Sequence, residues 1–377
     1  MRPGRILLFL LAVVLTLFVL SLAITNQRWG GGMLFHESSG DLLAHDTVTH
    51  DELYSDNAVN ETSRADPAAH DSLPAVTATD LTVAVAAAPY YPGDALRDSL
   101  AKGRQVRILY YGDSQVEGDR VTSLLRKQLR EEGGGTGPGL ISPVMPVMYT
   151  RSYVVRSSSN WKRYTLLDYR KGSIPHNRMG PMLAISRFTP PADTLEARSF
   201  ASVKINPVPG ADASVSKYER LRIFYGNNFD TILVGIRSGS KLVDFAMLQM
   251  GEGPLEYAVP LPSISDITVE FTGRNSPDIY GLSLESDAGV IIDNVPVRGS
   301  AGLEFVMTDI KGIEGCLAKL KPDIIFLQFG LNVVRNVRSE YHYYEEGLVK
   351  QIEYLKQASG GVPVGAGECD GYGSEGK

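Results

Sequence analysis

Residues 106–114 read Val106-Arg107-Ile108-Leu109-Tyr110-Tyr111-Gly112-Asp113-Ser114. A β-rich run stops at a Gly-Asp-Ser turn. Residues 119–130 follow, with Val121, Leu124, Leu125 and Leu129 at helical spacing. Strand, tight turn and helix are the opening of an α/β unit. Just upstream, residues 93–102 predict a helix. The same grammar returns far downstream. Residues 303–320 carry Val306, Ile310, Ile313, Leu317 and Leu320 at helical steps, and Pro322 ends the pattern. Residues 324–329, Ile-Ile-Phe-Leu-Gln-Phe, form the near-continuous apolar run of a buried parallel strand. Gly330-Leu331-Asn332 then precedes a second helix from about Ser339, with Tyr341, Tyr344, Leu348, Ile352 and Leu355 on one side. Val362-Pro363-Val364 opens another strand.

Residues 185–290 read differently. Short runs at 221–224, 231–236, 242–247, 267–271 and 279–284 alternate with Gly, Asn, Pro and Ser turns. That density of turns predicts an all-β, jelly-roll-like sandwich inserted into the α/β part. Residues 150–184 are rich in Arg, Ser, Tyr and Trp. Trp161 and its neighbouring tyrosines suit either stacking on sugars or core packing.

The chain has 377 residues, 43% of them hydrophobic, enough to bury a sizeable core. Its net charge of −6 is unevenly spread. Residues 37–80 carry ten acidic side chains against Arg64 alone, residues 1–36 carry three arginines and no acid, and residues 81–377 balance to zero. A neutral folded part lacks the basic footprint that nucleic acid requires. Residues 6–24 contain no charge and follow Arg2 and Arg5. Such a run spans a bilayer with its N-terminus in the cytoplasm, so a membrane anchor is expected and the folded part is exported, to the periplasm or outside the cell. A cleaved signal peptide at Ser21-Leu22-Ala23 is the alternative. The expected organisation is an anchor over 1–28, a flexible acidic spacer over 29–88, α/β segments over 89–150 and 291–364, an all-β segment with its preceding groove over 151–290, and a tail over 365–377. Two cysteines, Cys316 and Cys369, and six histidines without an H-x-x-x-H pair provide no metal cluster.

A serine at the carboxyl end of an α/β strand stands where ligands bind in such sheets. Its amide, near a helix N-terminus, can stabilise an oxyanion. Tyr111-Gly112-Asp113-Ser114-Gln115-Val116-Glu117-Gly118 resembles the first block of the SGNH (GDSL-like lipase/acylhydrolase) hydrolases, with Gln115 where leucine is usual. The family's second block resembles residues 293–302, Asp-Asn-Val-Pro-Val-Arg-Gly-Ser-Ala-Gly, and its third resembles Gly330-Leu331-Asn332, followed here by Val333 rather than Asp. The resemblance implies an SGNH-type three-layer α/β fold. It implies Ser114 as nucleophile, with Gly302 (Gly299 second) and Asn332 as oxyanion donors. Asp113 is expected to shape the turn. The β-rich interruption is similar to that of bacterial peptidoglycan and polysaccharide O-acetylesterases. An acylated glycan or peptidoglycan is therefore the implied substrate, with no metal or organic cofactor required.

The family's closing D-x-x-H block, which supplies the general base, has no counterpart after Asn332. His342 has Ser339 three residues before it, and Asp370 has Gly373 where the histidine would stand. His176 is better suited to a structural or substrate-contact role than to replacing that base. Five glycines over 365–377 predict that the strand begun at Val362 breaks off, as a truncated or frameshifted reading frame would produce. The expectation is therefore an ester hydrolase that is inactive or impaired in this chain. The alternative is a non-catalytic glycan-binding protein that uses its β-sandwich. Acyl transfer uses the same acyl-enzyme as hydrolysis and stays open.

Overall fold

The computed structural model describes residues 92–147, 149–191, 196–333 and 341–367. The apolar run 6–24, the acidic spacer and the tail beyond 367 lie outside these residues. Among the described residues no helix is long and apolar enough to cross a membrane.

The chain enters through α1 (Pro92–Ala101), β1 (Gln105–Gly112) and α2 (Thr122–Gly133). After the all-β segment it resumes with β13 (Gly289–Pro296), α4 (Ile310–Leu320), β14 (Ile324–Gln328), α5 (His342–Ala358) and β15 (Val364–Gly367). The four strands form one parallel sheet in the order β13-β1-β14-β15. Side-chain alternation divides it into two faces. Leu109, Tyr111, Val295, Ile325 and Leu327 pack with Ile313, Leu317, Leu320 and Leu355 of α4 and α5. Tyr110, Val290 and Ile292 pack with Leu100, Val121 and Leu125 on the opposite side. Helices thus cover both faces, as a buried parallel sheet requires.

Between β1 and β13 the chain builds two antiparallel sheets. One has the order β10-β7-β12-β5-β4, from β4 (Lys162–Thr165), β5 (Ala184–Arg187), β7 (Tyr218–Gly226), β10 (Leu255–Ile264) and β12 (Asp278–Glu285). The short β2 (Gly139–Ile141) also pairs with β12. The other has the order β3-β6-β11-β8-β9, from β3 (Tyr153–Ser157), β6 (Ser199–Pro207), β8 (Leu233–Ser238), β9 (Lys241–Met247) and β11 (Ile267–Gly273). Val203, Val234, Val269 and Phe271 of one sheet share a core with Leu221, Ile223, Leu282 and Leu284 of the other. Trp161 is in that core. Its ring meets Phe188 and Phe271 edge-on at 5.4 Å each, and its Nε1 donates to the Ser202 carbonyl at 3.2 Å. That burial removes it from any sugar-stacking role.

Three local expectations change. The buried residues of α2 are Thr122, Arg126 and Arg130, while Leu124 and Leu129 face solvent. Arg126 binds both oxygens of Asp119 (2.7 and 2.6 Å) and the Ile292 carbonyl, and Arg130 binds the Val290 carbonyl at 2.8 Å. Two guanidiniums therefore join Val121 and Leu125 in seating this helix against β13. The expected helix over 303–320 starts only at Ile310, because the Asp309 side chain accepts from the Lys311 N–H and caps it there. Residues 305–307 form a 3₁₀ turn before it, with Val306 exposed. Finally, the strand begun at Val364 runs on through Gly365, Ala366 and Gly367, paired parallel to β14. Among the described strands it is the sheet's edge, where side-chain packing matters least, so glycine is tolerated.

A charged network joins the parallel sheet to the six-stranded one. Arg107 of β1 binds both oxygens of Asp293 on β13 at 2.8 Å and also binds Glu285 at the end of β12. Glu285 in turn pairs with Arg222 of β7, which binds Glu256 of β10 at 2.7 Å. Burial alone would raise the Glu285 carboxyl, but the Arg107 and Arg222 charges with the Ser283 and Arg107 hydrogen bonds outweigh it and hold it at about 2.

Candidate functional site

The four parallel strands end level. Gly112 lies opposite Pro296 and Gln328, and Gln328 lies opposite Gly367. The three sequence motifs follow directly, so each is delivered to the carboxyl edge of the sheet.

The first turn is tight. A Cβ on Gly112 would approach Val116 to 2.7 Å and the Gln328 carbonyl to 3.0 Å, so only glycine fits. Asp113 is buried, and its Oδ1 accepts from the Gln115 N–H at 2.8 Å, which folds the chain back after the strand. Burial, with the nearby Glu117 carboxylate, raises the Asp113 carboxyl despite the Gln115 bond. Ser114 is half-buried at the apex, and its carbonyl accepts from Arg120 Nη2 at 3.0 Å.

The second loop is docked onto the first. The Val297 N–H donates to the Gly112 carbonyl at 2.8 Å, and Arg298 binds both oxygens of Glu117 at 2.8 Å. The third loop closes the group. Asn332 Nδ2 donates to the Ser300 carbonyl at 2.8 Å and stands 3.4 Å from Asp113 Oδ2. Contacts through Asn332 thus link all three motifs.

Gly302 lies in the same loop but faces inward. Its φ is +79°, a Cβ would meet the Phe329 ring at 2.6 Å, and its N–H donates to Ser300 Oγ at 2.8 Å. Ser300 Oγ in turn donates to the buried Glu304 carboxylate at 2.5 Å. Burial raises the Glu304 carboxyl against that hydrogen bond. Gly299 lines an open cleft beside the loop, together with Arg298, Ser300, Glu304, Arg163 and Leu183. Sequence reading passed over Arg163, Ser300 and Glu304. The signal for Ser300 and Glu304 was their place within and just after the second motif; Arg163, on a strand of another sheet, offered none.

The two described histidines are held elsewhere. His176 Nε2 lies 3.0 Å from Asp278 and 3.0 Å from Asn227 Nδ2, and Asp278 also binds Arg187 at 2.7 Å. His342 begins α5 and pairs with Glu345 at 3.3 Å. Cys316 is fully buried within the core, and burial pushes its thiol up. Among the described residues no group of three His, Cys, Asp or Glu side chains is placed to hold a metal ion.

No family model matches the chain, and no curated protein matches it. Among solved structures it is similar to a peptidoglycan O-acetylesterase, with a TM-score of 0.54 and 18% identity over 74% of this chain and 71% of that one. The likeness establishes a shared fold. TmCBM61 in complex with β-1,4-galactotriose (TM-score 0.21, 8% identity, 36% of this chain and 86% of that one) is also similar. So is a family two carbohydrate esterase from Cellvibrio japonicus (TM-score 0.19, 9% identity, 57% and 78%). At those scores neither adds to the argument.

Proposed function

We propose that the chain is an SGNH-type serine esterase that removes acyl groups from a glycan, with O-acetyl groups on cell-wall material as the reading closest to its fold. The observation that carries this is the convergence of Ser114, the Gly299–Gly302 loop and Asn332 at one edge of a parallel sheet, tied by Asn332. Ser114 Oγ would attack the acyl carbon. The Ser114 amide would hold the oxyanion of the tetrahedral intermediate, joined by the Asn332 side chain once its Nδ2 gives up the 3.4 Å contact with Asp113. The third donor in this reading is the Gly299 amide, at the cleft, rather than the Gly302 amide, which Ser300 Oγ already engages. Collapse of the intermediate expels the sugar alkoxide, and water then releases the acyl group from Ser114.

The scheme needs a base to take the Ser114 proton. His176 bonds Asp278 and Asn227 and His342 pairs with Glu345, none of these contacts involving Ser114, so a Ser114-dependent turnover well below that of a complete triad is expected. The test is hydrolysis of 4-nitrophenyl acetate and of O-acetylated peptidoglycan by the purified chain and its variants. Ser114→Ala is expected to abolish turnover, and Asn332→Ala to lower kcat by about 10²–10³. Turnover that survives Ser114→Ala would sink the reading.

A second reading has its own observation. On the outer face of the five-stranded sheet, Phe200, Phe245 and Met247 are 57%, 58% and 62% exposed. That apolar face suits glycan binding without catalysis. Retention on insoluble glycan that Phe245→Ala abolishes, with no Ser114-dependent turnover, would favour it over the esterase.

A further inference from the structure

The loop of the second motif folds around a buried acid that no step of the ester hydrolysis uses. Glu304 is 5% exposed. Its carboxylate accepts from Ser300 Oγ at 2.5 Å, and the amides of Ala301, Leu303 and Glu304 itself are turned towards it. Residues 300–304 therefore close on a carboxyl group at their centre. A carboxyl group is costly to bury without such partners, so the path of the loop and the place of the acid are set together.

Ser300 carries that constraint outwards. Its hydroxyl is held between two partners, accepting from the Gly302 N–H at 2.8 Å and donating to Glu304. The carbonyl of the same residue accepts from Asn332 Nδ2 at 2.8 Å. An asparagine amide nitrogen carries two hydrogens. The Ser300 carbonyl takes one in a short bond, while the nitrogen's contact with Asp113 Oδ2 is long, at 3.4 Å. Fixing one hydrogen of a planar amide orients the other, and that second hydrogen is the one an oxyanion formed at Ser114 can use.

We infer that Glu304 is a positioning residue for the ester hydrolysis, acting through Ser300 to hold Asn332 in the orientation that donates to the oxyanion. The inference rests on the esterase reading for the reaction it serves, yet the orientation itself is measured without turnover.

The experiment compares the full chain with Glu304→Leu, which removes the acceptor, and Glu304→Gln, which keeps one acceptor oxygen for Ser300. Hydrolysis of 4-nitrophenyl acetate gives kcat and KM. In protein labelled at asparagine, NMR follows the Asn332 side-chain amide, assigned by its absence from Asn332→Ala. Glu304→Leu is expected to lower kcat about 10- to 100-fold with KM nearly unchanged, as a displaced transition-state donor does, and to move the Asn332 signal. Glu304→Gln is expected to recover most of kcat and the original signal. Ser300→Ala deletes the hydroxyl but keeps the carbonyl. It should repeat the pattern of Glu304→Leu, and it decides the question if that variant does not fold. A purely structural role would lower the melting temperature of these variants while leaving kcat and the Asn332 signal of the folded protein unmoved, and that result would overturn the inference. Absence of Ser114-dependent turnover in the parent chain would instead sink the esterase reading, and the Asn332 signal would still decide whether Glu304 orients that side chain.

Discussion

At the scale of single residues, Gly302 and Trp161 show how position decides role. Gly302 occupies a left-handed φ of +79° with the Phe329 ring against it. Gly302→Ala is expected to cost about 1–3 kcal/mol through strain and overpacking, read as a lowered denaturation midpoint. Trp161→Ala, which empties a site between Phe188 and Phe271, is expected to cost about 3–5 kcal/mol and to leave glycan binding unchanged. The turn that carries Ser114 was legible from the sequence because its setting is local, a β-run stopped by glycine before a helix. The different settings of Gly299 and Gly302 were not, because both are loop glycines of one motif. What separates them is which side of the loop faces the cleft, and Phe329 and Ser300, which fix that, arrive through tertiary contact.

At the scale of elements, α2 departs furthest from its pattern. Its leucines suggested an apolar underside, yet Arg126 and Arg130 are buried there and bond the Ile292 and Val290 carbonyls of β13. Arg126→Met would strip Asp119 of its bidentate partner and is expected to cost about 3–5 kcal/mol by chemical denaturation. Leu124→Gln, on the exposed side, should stay within about 0.5 kcal/mol. Hydropathy periodicity missed this because a long guanidinium can bury when carboxylate and carbonyl acceptors converge on it. Their convergence depends on β13, some 160 residues away in sequence. Elements whose partners are apolar, such as β14 and α5, were legible throughout. The strands β4, β5 and β13 lack clear alternation and emerged only from their pairing.

At the scale of the whole molecule, the Arg107–Asp293–Glu285–Arg222 network spans β1, β13, β12 and β7. Glu285, held at about 2, contributes stability that is fully present above the ordinary carboxylate range and is lost as pH falls from about 4.5 towards 2. Thermal unfolding followed from pH 6 to pH 2 should show a steep loss in that window. In Glu285→Gln, the starting stability should be lower and the loss across the window shallower. An unchanged acid profile would show that the network does not couple the sheets. Cys316 provides a second global probe. Being fully buried, it should resist thiol reagents until the core opens, so its labelling rate should track unfolding.

The order of strand, turn and helix, the all-β interruption and the positions of the three motifs were settled along the chain itself. Each depends on periodicity and turn chemistry within a few residues. The folded molecule alone decided that the three motifs meet through Asn332, that arginines join the apolar contacts of α2, and that Arg163 of β4 and Arg298 of the loop after β13 line one cleft. Those outcomes depend on charge and hydrogen bonding between residues far apart in sequence, which no local pattern encodes.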